Sequence, residues 1–318
     1  MSLTINHQTN DISNSTGTVK LNGTAVGGDN SPIIFYGSRG VFGGGQAATG
    51  NSNVIDYITI ANTGNATDFG DLTASKLAVA ACSNGTRGLF GGGNTGSRQN
   101  VIEYITIAST GNGTDFGDLT IAREQLASCS SNTRGLFGGG TESNGSKSNV
   151  IDYITIASTG NATDFGDLTV ARDGLTACSS GLRGLFAGGN TSKDTIDYVT
   201  IDTAGNAADF GNLTVARHYP AGCSNNTRGL FGGGDGSNVI DYVTIDTTGN
   251  ATDFGDLTAG NSFGLAACSS GVRGVFAGGY TSGYTNVIDY VTIDTTGNAA
   301  DFGDLTVGRL GEGSCSGT

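Results

Sequence analysis

The stretch RGLFGGG at Arg134–Gly140 sets the architecture of this chain, because nearly the same seven residues occur six times. The copies begin at Arg39, Arg87, Arg134, Arg183, Arg228 and Arg273, so successive copies are 45 to 49 residues apart. A period in this range indicates a propeller or a solenoid. The chain has 56 glycines among 318 residues, but each glycine cluster precedes a β-branched and aromatic run such as IDYITI. Such runs argue against disorder.

One repeat, beginning at Gln125, contains four segments with the composition of β-strands: LASCSS, RGLFGGG, NVIDYITI and TDFGDLTV. Clusters of Asn, Gly, Ser and Thr separate these segments, and no apolar period of 3.6 residues indicates a helix. In the first copy of VIDYITI, Ile55 and Tyr57 face one way and Val54 and Ile58 the other, which is typical of a sheet covered on both sides. Four antiparallel strands repeated six times predict an all-β fold, a six-bladed β-propeller.

A family resemblance supports this prediction. A glycine doublet followed by a spaced Tyr, an aromatic residue, a Leu and an Arg resembles the Kelch motif, and the matching residues are Gly139, Gly140, Tyr153, Phe165, Leu168 and Arg172. The resemblance covers roughly residues 39–318 and implies a Kelch-like propeller. The chain departs from the motif because it has no Trp, and Phe occupies that place at Phe69, Phe116, Phe165, Phe210, Phe254 and Phe302.

The strand count predicts how the ring closes. The unit at Arg39 supplies three strands, five complete units supply twenty, and the C-terminal LGEGSCSGT supplies one, which makes six whole blades. We expect residues 310–318 to pair with the N-terminal blade, because closing the ring removes exposed sheet edges. SPIIFYGS, residues 31–38, aligns with the same innermost position and is the alternative closing strand.

The first thirty residues precede the propeller, which we place at residues 31–318. The segment DISNSTGTVKLNGTAVGG resembles short β-rich segments of tailed-phage fibre and virion proteins. This resemblance implies an attachment arm at residues 1–30 that contacts other virion proteins. The alternative is a disordered tail, since termini are commonly loose.

Six cysteines occupy equivalent positions, one in each repeat. A small buried residue at each inner strand explains this spacing, so we predict free thiols rather than disulfides. A pair of aspartates recurs in the repeats, from Asp68 and Asp71 to Asp301 and Asp304. The segment that contains it has too few oxygen ligands for a calcium loop, and turn hydrogen bonds explain these residues more simply. We predict no metal and no cofactor.

The formal charge of −13 and the pI of about 4.3 argue against nucleic acid as a partner. The first residues lack the basic start and apolar run of a signal peptide, and no apolar run is long enough for a membrane helix. We therefore expect a soluble protein, made in the host cytoplasm and carried on the virion, without membrane insertion. A homo-oligomer is compatible with these features.

One face of the predicted ring is far more variable than the other. The loops between strands one and two and between strands three and four are near-copies, whereas those between strands two and three and between strand four and the next blade differ in length and chemistry. Loops carry recognition on a rigid scaffold, so the variable side is the candidate binding face. The resemblance to Kelch proteins implies that residues opening the innermost strand contact a partner. The candidate ligand-binding residues are Lys76, Arg123, Glu124, Arg172, Asp173, Arg217, His218, Tyr219, Asn261, Phe263, Tyr280, Tyr284, Arg309 and Glu312.

The function that these features favour is non-enzymatic recognition, by a bacteriophage tail-fibre or surface-decoration protein, of a host-surface glycan, a receptor or a neighbouring virion protein. A purely structural capsid or tail protein is the second reading, with the uniform face docked on the virion. An enzyme is the third. Copper chemistry needs several imidazoles, and the chain has only His7 and His218. A glycosidase would need a carboxylate pair, for which Glu124, Asp173 and Glu312 are the candidates, and we predict no catalytic residue.

Overall fold

The computed structural model describes residues 37–190, 194–260 and 263–318, together with four short strands near the N-terminus. Contacts divide the chain into two compact units, Met1–Ile33 and Ile34–Thr318. The described residues form strands, turns and bridges without a helix. The fold is therefore all-β, as predicted.

The N-terminal unit contains two antiparallel hairpins. The attachment role that we assign to residues 1–30 stays a prediction. The paired strands are Leu3–Asn6 with Asp11–Asn14, and Val19–Leu21 with Thr24–Val26.

The second unit is a ring of six four-stranded antiparallel sheets, which confirms the predicted six-bladed propeller. In the order of blades 1 to 6, the inner strands are Gly313–Gly317, Ala80–Ser83, Ala127–Ser130, Thr176–Ser179, Ala221–Ser224 and Ala266–Ser269. The second strands are Arg39–Gly43, Arg87–Gly91, Arg134–Gly138, Arg183–Ala187, Arg228–Gly232 and Arg273–Ala277. The third strands are Val54–Thr59, Val101–Thr106, Val150–Thr155, Thr195–Thr200, Val239–Thr244 and Val287–Thr292. The outer strands are Thr67–Asp71, Thr114–Asp118, Thr163–Asp167, Ala208–Asn212, Thr252–Asp256 and Ala300–Asp304.

The C-terminal strand closes the ring. Gly313–Gly317 pairs antiparallel with Arg39–Gly43, with Cys315 opposite Val41, and contacts the inner strands of blades 2 and 6. The closing strand is therefore the predicted C-terminal one. Of the alternative segment, residues 31–36 lie outside the described residues. A short hairpin, Gln46–Ala47 with Gly50–Asn51, and a short two-stranded pairing, Arg123–Glu124 with Thr141–Glu142, complete the strands of this unit.

Each seam between blades is built on a cysteine that packs against a glycine. The Cys82 sulfur of blade 2 lies so near Gly135 of blade 3 that a Cβ on this glycine would be 2.9 Å from it. The same contact occurs at every seam, with distances of 2.6–2.9 Å, and includes Cys268 of blade 6 against Gly40 of blade 1. All six thiols are free and buried, as predicted, and burial raises their pKa, to about 12 at Cys129.

The inner strands are also joined by serine side chains at the end of the channel opposite the variable face. Ser130 Oγ donates a hydrogen bond to the Ser83 carbonyl at 2.6 Å, and Ser179 Oγ donates to the Ser130 carbonyl at 2.8 Å. Such bonds connect inner strands of neighbouring blades, which do not share a backbone ladder with each other. Equivalent bonds run from Ser83 to Ser316, from Ser224 to Ser179 and from Ser269 to Ser224.

The repeated arginine ties each blade to the next. Its guanidinium lies over the Tyr ring of its own third strand, 4.6–4.7 Å from the ring centroid, in all six blades. It also donates to a carbonyl of the following blade, as from Arg87 Nη1 to Ile156 at 3.1 Å. Across the closure, Arg273 Nη1 donates to Ile60 at 3.2 Å. The last blade is therefore bonded to the first in the same way as any other pair.

The uniform loop between the third and outer strands covers the edge of the preceding blade. Gly111 and Gly113 of blade 2 donate their N–H groups to the carbonyls of Phe69 and Asp71 of blade 1, at 2.8 and 2.7 Å. Asn112 Oδ1 accepts the Asp71 N–H at 3.0 Å. Because this pairing satisfies an exposed sheet edge, the loop sequence TGNAT is constrained by the ring itself.

The glycine triplet after the second strand contains two kinds of position. The second and third glycines have left-handed backbones, as at Gly139 with φ 68° and Gly140 with φ 101°, where only glycine is free of strain. The first glycine carries no such requirement, and alanine takes its place at Ala187 and Ala277.

We predict that two neighbouring glycine-to-alanine substitutions lower the free energy of unfolding by different amounts. Gly139→Ala should lower the free energy of unfolding by about 2 kcal/mol or more, because the new Cβ would be strained and would lie 2.7 Å from the Arg172 carbonyl. Gly138→Ala should cost less, because its backbone is unstrained and the Phe186 ring, 2.7 Å from the new Cβ, has to shift only as the repeats with Ala187 and Ala277 already allow. Urea denaturation of both variants measures the difference, and equal losses would contradict this account of the triplet.

Candidate functional site

The candidate site is the mouth of the central channel on the variable face. The variable face is the side of the ring that carries the loops between strands two and three. It also carries the crossovers, which run from each outer strand to the next inner strand. A cavity of about 320 Å³ opens there, and inner-strand and crossover residues of all six blades line it. This volume lies in the range of small-molecule sites. A smaller cavity of about 110 Å³, lined by the cysteine and serine rings, lies at the other end.

Five basic residues that sequence reasoning placed at this mouth are instead buried in ion pairs. Each pairs with an acid in the third strand of the blade that its crossover enters, and the acids are themselves buried. The guanidinium–carboxylate distances are 2.6 to 3.1 Å, and Lys76 pairs with Glu103. The arginine pairs are Arg123–Asp152, Arg172–Asp197, Arg217–Asp241 and Arg309–Asp56.

The physical reason for this correction is the buried acid. An ionised carboxylate inside a β-sheet needs a cation, and the crossover supplies it. Thr120 of the preceding blade also donates its hydroxyl to Asp152, at 2.5 Å. We therefore remove Lys76, Arg123, Arg172, Arg217 and Arg309 from the candidate surface. Asn261, at the sixth crossover, lies outside the described residues.

Sequence reasoning missed these acids, although a signal was present. An acid stands in the middle of an apolar strand in every repeat. The repeat with Glu103 in place of Asp is also the one with Lys76 in place of Arg, so the two side chains change together. The sixth acid, Asp289, accepts from the Thr258 hydroxyl at 2.7 Å, and burial raises its pKa.

We predict that Arg172→Met destabilises the fold by about 3–5 kcal/mol, because it leaves the Asp197 charge buried without its cation. The double variant Arg172→Met/Asp197→Leu should recover much of this loss. Chemical denaturation measures both. If Arg172→Met kept the stability of the parent protein, the ion pair would not have the structural role that we assign to it.

The crossovers converge on six residues at the rim, which we call the tip residues. Each has a left-handed backbone, with φ between 57° and 67°. In five of the six, the backbone N–H donates to the carbonyl of the tip residue of the preceding blade. Tyr219 N, for example, donates to Gly174 O at 2.8 Å. The tip residues are Ala78, Gln125, Gly174, Tyr219, Gly264 and Gly311.

Three tip residues are not glycine, although glycine adopts this conformation without strain. Ala78, Gln125 and Tyr219 therefore hold a backbone that costs about 1–2 kcal/mol each. Gln125 and Tyr219 line the cavity. Burial raises the pKa of the Tyr219 phenol to about 12, with Asp173 and Glu124 adding to the effect, so the phenol is a neutral donor at pH 7.

The residues directly before the tips divide the mouth into two halves. We call these six the flanking residues: Leu310, Leu77, Glu124, Asp173, His218 and Phe263, for blades 1 to 6. Blades 6, 1 and 2 carry apolar side chains here, and these three residues line the cavity. Blades 3, 4 and 5 carry polar ones. The polar three lie outside the cavity lining, so the polar side chains that the cavity offers opposite the apolar three are Gln125 and Tyr219.

The polar half is partly hydrogen-bonded: Glu124 and one Asp173 oxygen have hydrogen-bond partners, whereas Asp173 Oδ1 and His218 Nε2 have none among the described residues. Glu124 accepts from Asn94 Nδ2 at 2.7 Å and from Arg98 Nε at 2.8 Å. Asp173 accepts the Thr141 hydroxyl at 2.6 Å. His218 Nε2 lies 3.9 Å from the Asp173 carboxylate, and its ring is stacked 3.7 Å from that of Tyr219. Burial lowers the pKa of His218, more than the nearby carboxylates raise it, so the imidazole is neutral at pH 7.

Glu312, another predicted ligand contact, occupies a core position. Its place in the other repeats is taken by Val79, Leu126, Leu175, Pro220 and Leu265. The side chain is 5% exposed, packs toward Gly278 of blade 6, and neither carboxylate oxygen has a hydrogen-bond partner among the described residues. Burial raises the pKa of Glu312 to about 8, partly offset by Arg309. The residue borders the cavity, but its carboxylate belongs to the seam that closes the ring.

This pKa predicts a pH dependence of stability. The value rises from 4.5 in the unfolded chain to about 8 in the folded one, so between these values folding takes up a proton. The Glu312 contribution to stability is present below pH 4.5 and is lost as the pH rises toward 8, by roughly 4 kcal/mol in all. Glu312→Leu should therefore stabilise the fold much more at pH 8 than at pH 5.

Urea midpoints at the two pH values measure this difference, and Glu312→Gln, which keeps the shape without the charge, is the control. Both variants should show a smaller loss of stability between pH 5 and pH 8 than the parent protein. An equal pH dependence in all three proteins would mean that Glu312 does not titrate in this window.

The predicted aromatic residues lie together on one side of the mouth. Tyr219 and Phe263 have ring centroids 5.6 Å apart, and Tyr280 and Tyr284 form an edge-to-face pair at 5.4 Å. Phe263 is 44% exposed, while Tyr280 and Tyr284 are half-buried. Within the described residues, His, Cys, Asp and Glu side chains form no group that could hold a metal ion.

Compared with protein-family models the chain matches none, and no curated protein matches it significantly. The resemblance to the Kelch motif therefore rests on the residues quoted above, whereas the six-bladed propeller rests on the structure. In the part of the chain that the structure describes, no helical segment has the length and hydropathy needed to cross a bilayer.

Proposed function

We propose that this propeller is a non-enzymatic recognition module that binds a glycan at the mouth of the channel on the variable face. The division of the mouth carries the proposal. A sugar ring has an apolar face and a polar edge, and the cavity offers Leu77, Leu310 and Phe263 on one side and Gln125 and Tyr219 on the other. Sites of this kind combine an apolar lining with a few hydrogen-bonding groups that fix orientation.

The strained tips support the same proposal. Three of six blades satisfy the left-handed position with glycine, so the ring does not need a side chain there. Gln125 and Tyr219 keep large polar side chains at a conformational cost. Strain of this kind clusters at binding sites, where the side chain serves a purpose other than folding.

The biological setting is proposed on the resemblance of residues 1–30 to virion proteins. In this setting the glycan belongs to a host surface, and the N-terminal unit joins the propeller to other virion proteins. The purely structural alternative drew on the uniformity of the opposite face. The uniform loops cover the outer strands of neighbouring blades, as Gly111 does for Phe69, so an external partner is not needed to explain their repetition.

The test is a glycan array probed with the purified protein and with Tyr219→Gly. This variant copies Gly174, Gly264 and Gly311, so we expect it to fold and to bind at least 10-fold more weakly, because it loses the phenol and the ring. Val272→Ala is the control, because Val272 is an apolar residue, 64% exposed, in a loop of the opposite face. An array without binding, or equal binding by Tyr219→Gly, would contradict the proposal.

A further inference from the structure

One sector of the variable face carries aromatic residues outside the cavity. Each flanking residue is joined, mostly by backbone contacts, to a residue at the start of the loop between strands two and three, which we call the outer residue. Only blade 6 has an aromatic residue at both positions, Phe263 and Tyr280. The outer residues of blades 1 to 6 are Gln46, Asn94, Thr141, Asn190, Asp235 and Tyr280.

The aromatic residues form a row of two ring pairs, one at the cavity and one farther out, which the backbone connects. Tyr219 lines the cavity, and its ring is 5.6 Å from that of Phe263. The Phe263 carbonyl accepts the Tyr280 N–H at 3.0 Å, and Tyr280 forms a backbone bridge with Tyr284, whose ring is 5.4 Å away. These backbone bonds fix the order of Phe263, Tyr280 and Tyr284 across the blade.

From this row we infer that the binding site extends from the channel mouth across blade 6 and takes a linear, uncharged oligosaccharide. The inference rests on the proposed function and specifies its ligand. One sugar unit occupies the cavity, the next contacts the exposed Phe263, and the following units contact the Tyr280–Tyr284 pair. Both ring pairs are edge-to-face, with centroid spacings of 5.6 and 5.4 Å and interplanar angles of 73° and 86°, so each pair offers one aromatic contact point rather than two parallel stacking surfaces.

The charges of this face specify an uncharged ligand. Among the described residues of the variable face, every basic side chain is already paired with a carboxylate, as Arg98 is with Glu124 and Lys147 with Asp173. Among these described residues an anionic glycan would meet no unpaired cation, and the formal charge of −13 would repel it. Aromatic stacking and hydroxyl hydrogen bonds remain as the means of recognition.

The experiment measures affinity against ligand length. Isothermal titration with cello-, chito- and manno-oligosaccharides of one to six units is carried out on the parent protein, Tyr219→Gly, Phe263→Ala, Tyr280→Ala/Tyr284→Ala and the control Val272→Ala. For at least one series we expect affinity to rise 10-fold or more from one unit to four in the parent protein and the control. Tyr280→Ala/Tyr284→Ala should bind the single sugar as the parent does, with a flat dependence on length.

The outcomes separate the two proposals. If Tyr219→Gly loses binding at every length while the double variant keeps the parent's length dependence, the cavity binds the sugar and the extended row is refuted. If no series binds at any length, both proposals fail. Tighter binding of a polyproline peptide than of any sugar, abolished by Phe263→Ala, would assign the row to a peptide and overturn the oligosaccharide. Far-UV circular dichroism and thermal melting of each variant confirm that losses reflect binding rather than unfolding.

Discussion

The contact on which this ring depends is a thiol packed against a bare glycine Cα. It occurs at every seam, near the axis, where the inner strands converge and space is smallest. A closed ring cannot absorb a wider seam at one place without opening another, so each of the six contacts must have nearly the same thickness. Because all six cysteines are buried and burial raises the pKa of each thiol, they are not placed to react. Their role in the ring is to fill each seam with a side chain of the right size.

Buried charge is the second constraint, and it affects the candidate site indirectly. The acid of each third strand anchors the crossover that enters its blade, through the ion pairs of blades 1 to 5 and threonine hydrogen bonds. The tip residues lie two positions after these cations, so the ion pairs fix where Gln125 and Tyr219 enter the mouth. The buried arginines therefore position the residues of the candidate site, and their burial keeps them out of its surface. The same logic explains why Lys76 and Glu103 differ from the other pairs together, because a shorter acid would not meet the lysine.

The sequence could predict the blades because a repeat reports each strand six times. Small residues, apolar bursts and β-branched runs recur in a fixed order, and the missing inner strand of blade 1 could only be supplied by one of two segments. The site was harder to predict for a physical reason. A charged residue next to a variable loop looks like a surface residue, and only the position of the acid on another blade shows that Arg172 is buried. Glu312 also looks like a surface residue because it is charged. The other five repeats have apolar residues at its position, which is a core position.

Periodicity alone was therefore enough to establish the number of blades, the order of their strands, the free thiols and the contrast between a uniform and a variable face. These properties depend on local pattern and repetition, which a linear chain displays in full. Tertiary structure was needed to decide which variable residues reach the mouth, because that depends on contacts between blades some 45 residues apart in the sequence. It placed the flanking residues in apolar and polar halves and brought Phe263 beside Tyr280, since only the closed ring makes neighbours of crossovers that are distant along the chain.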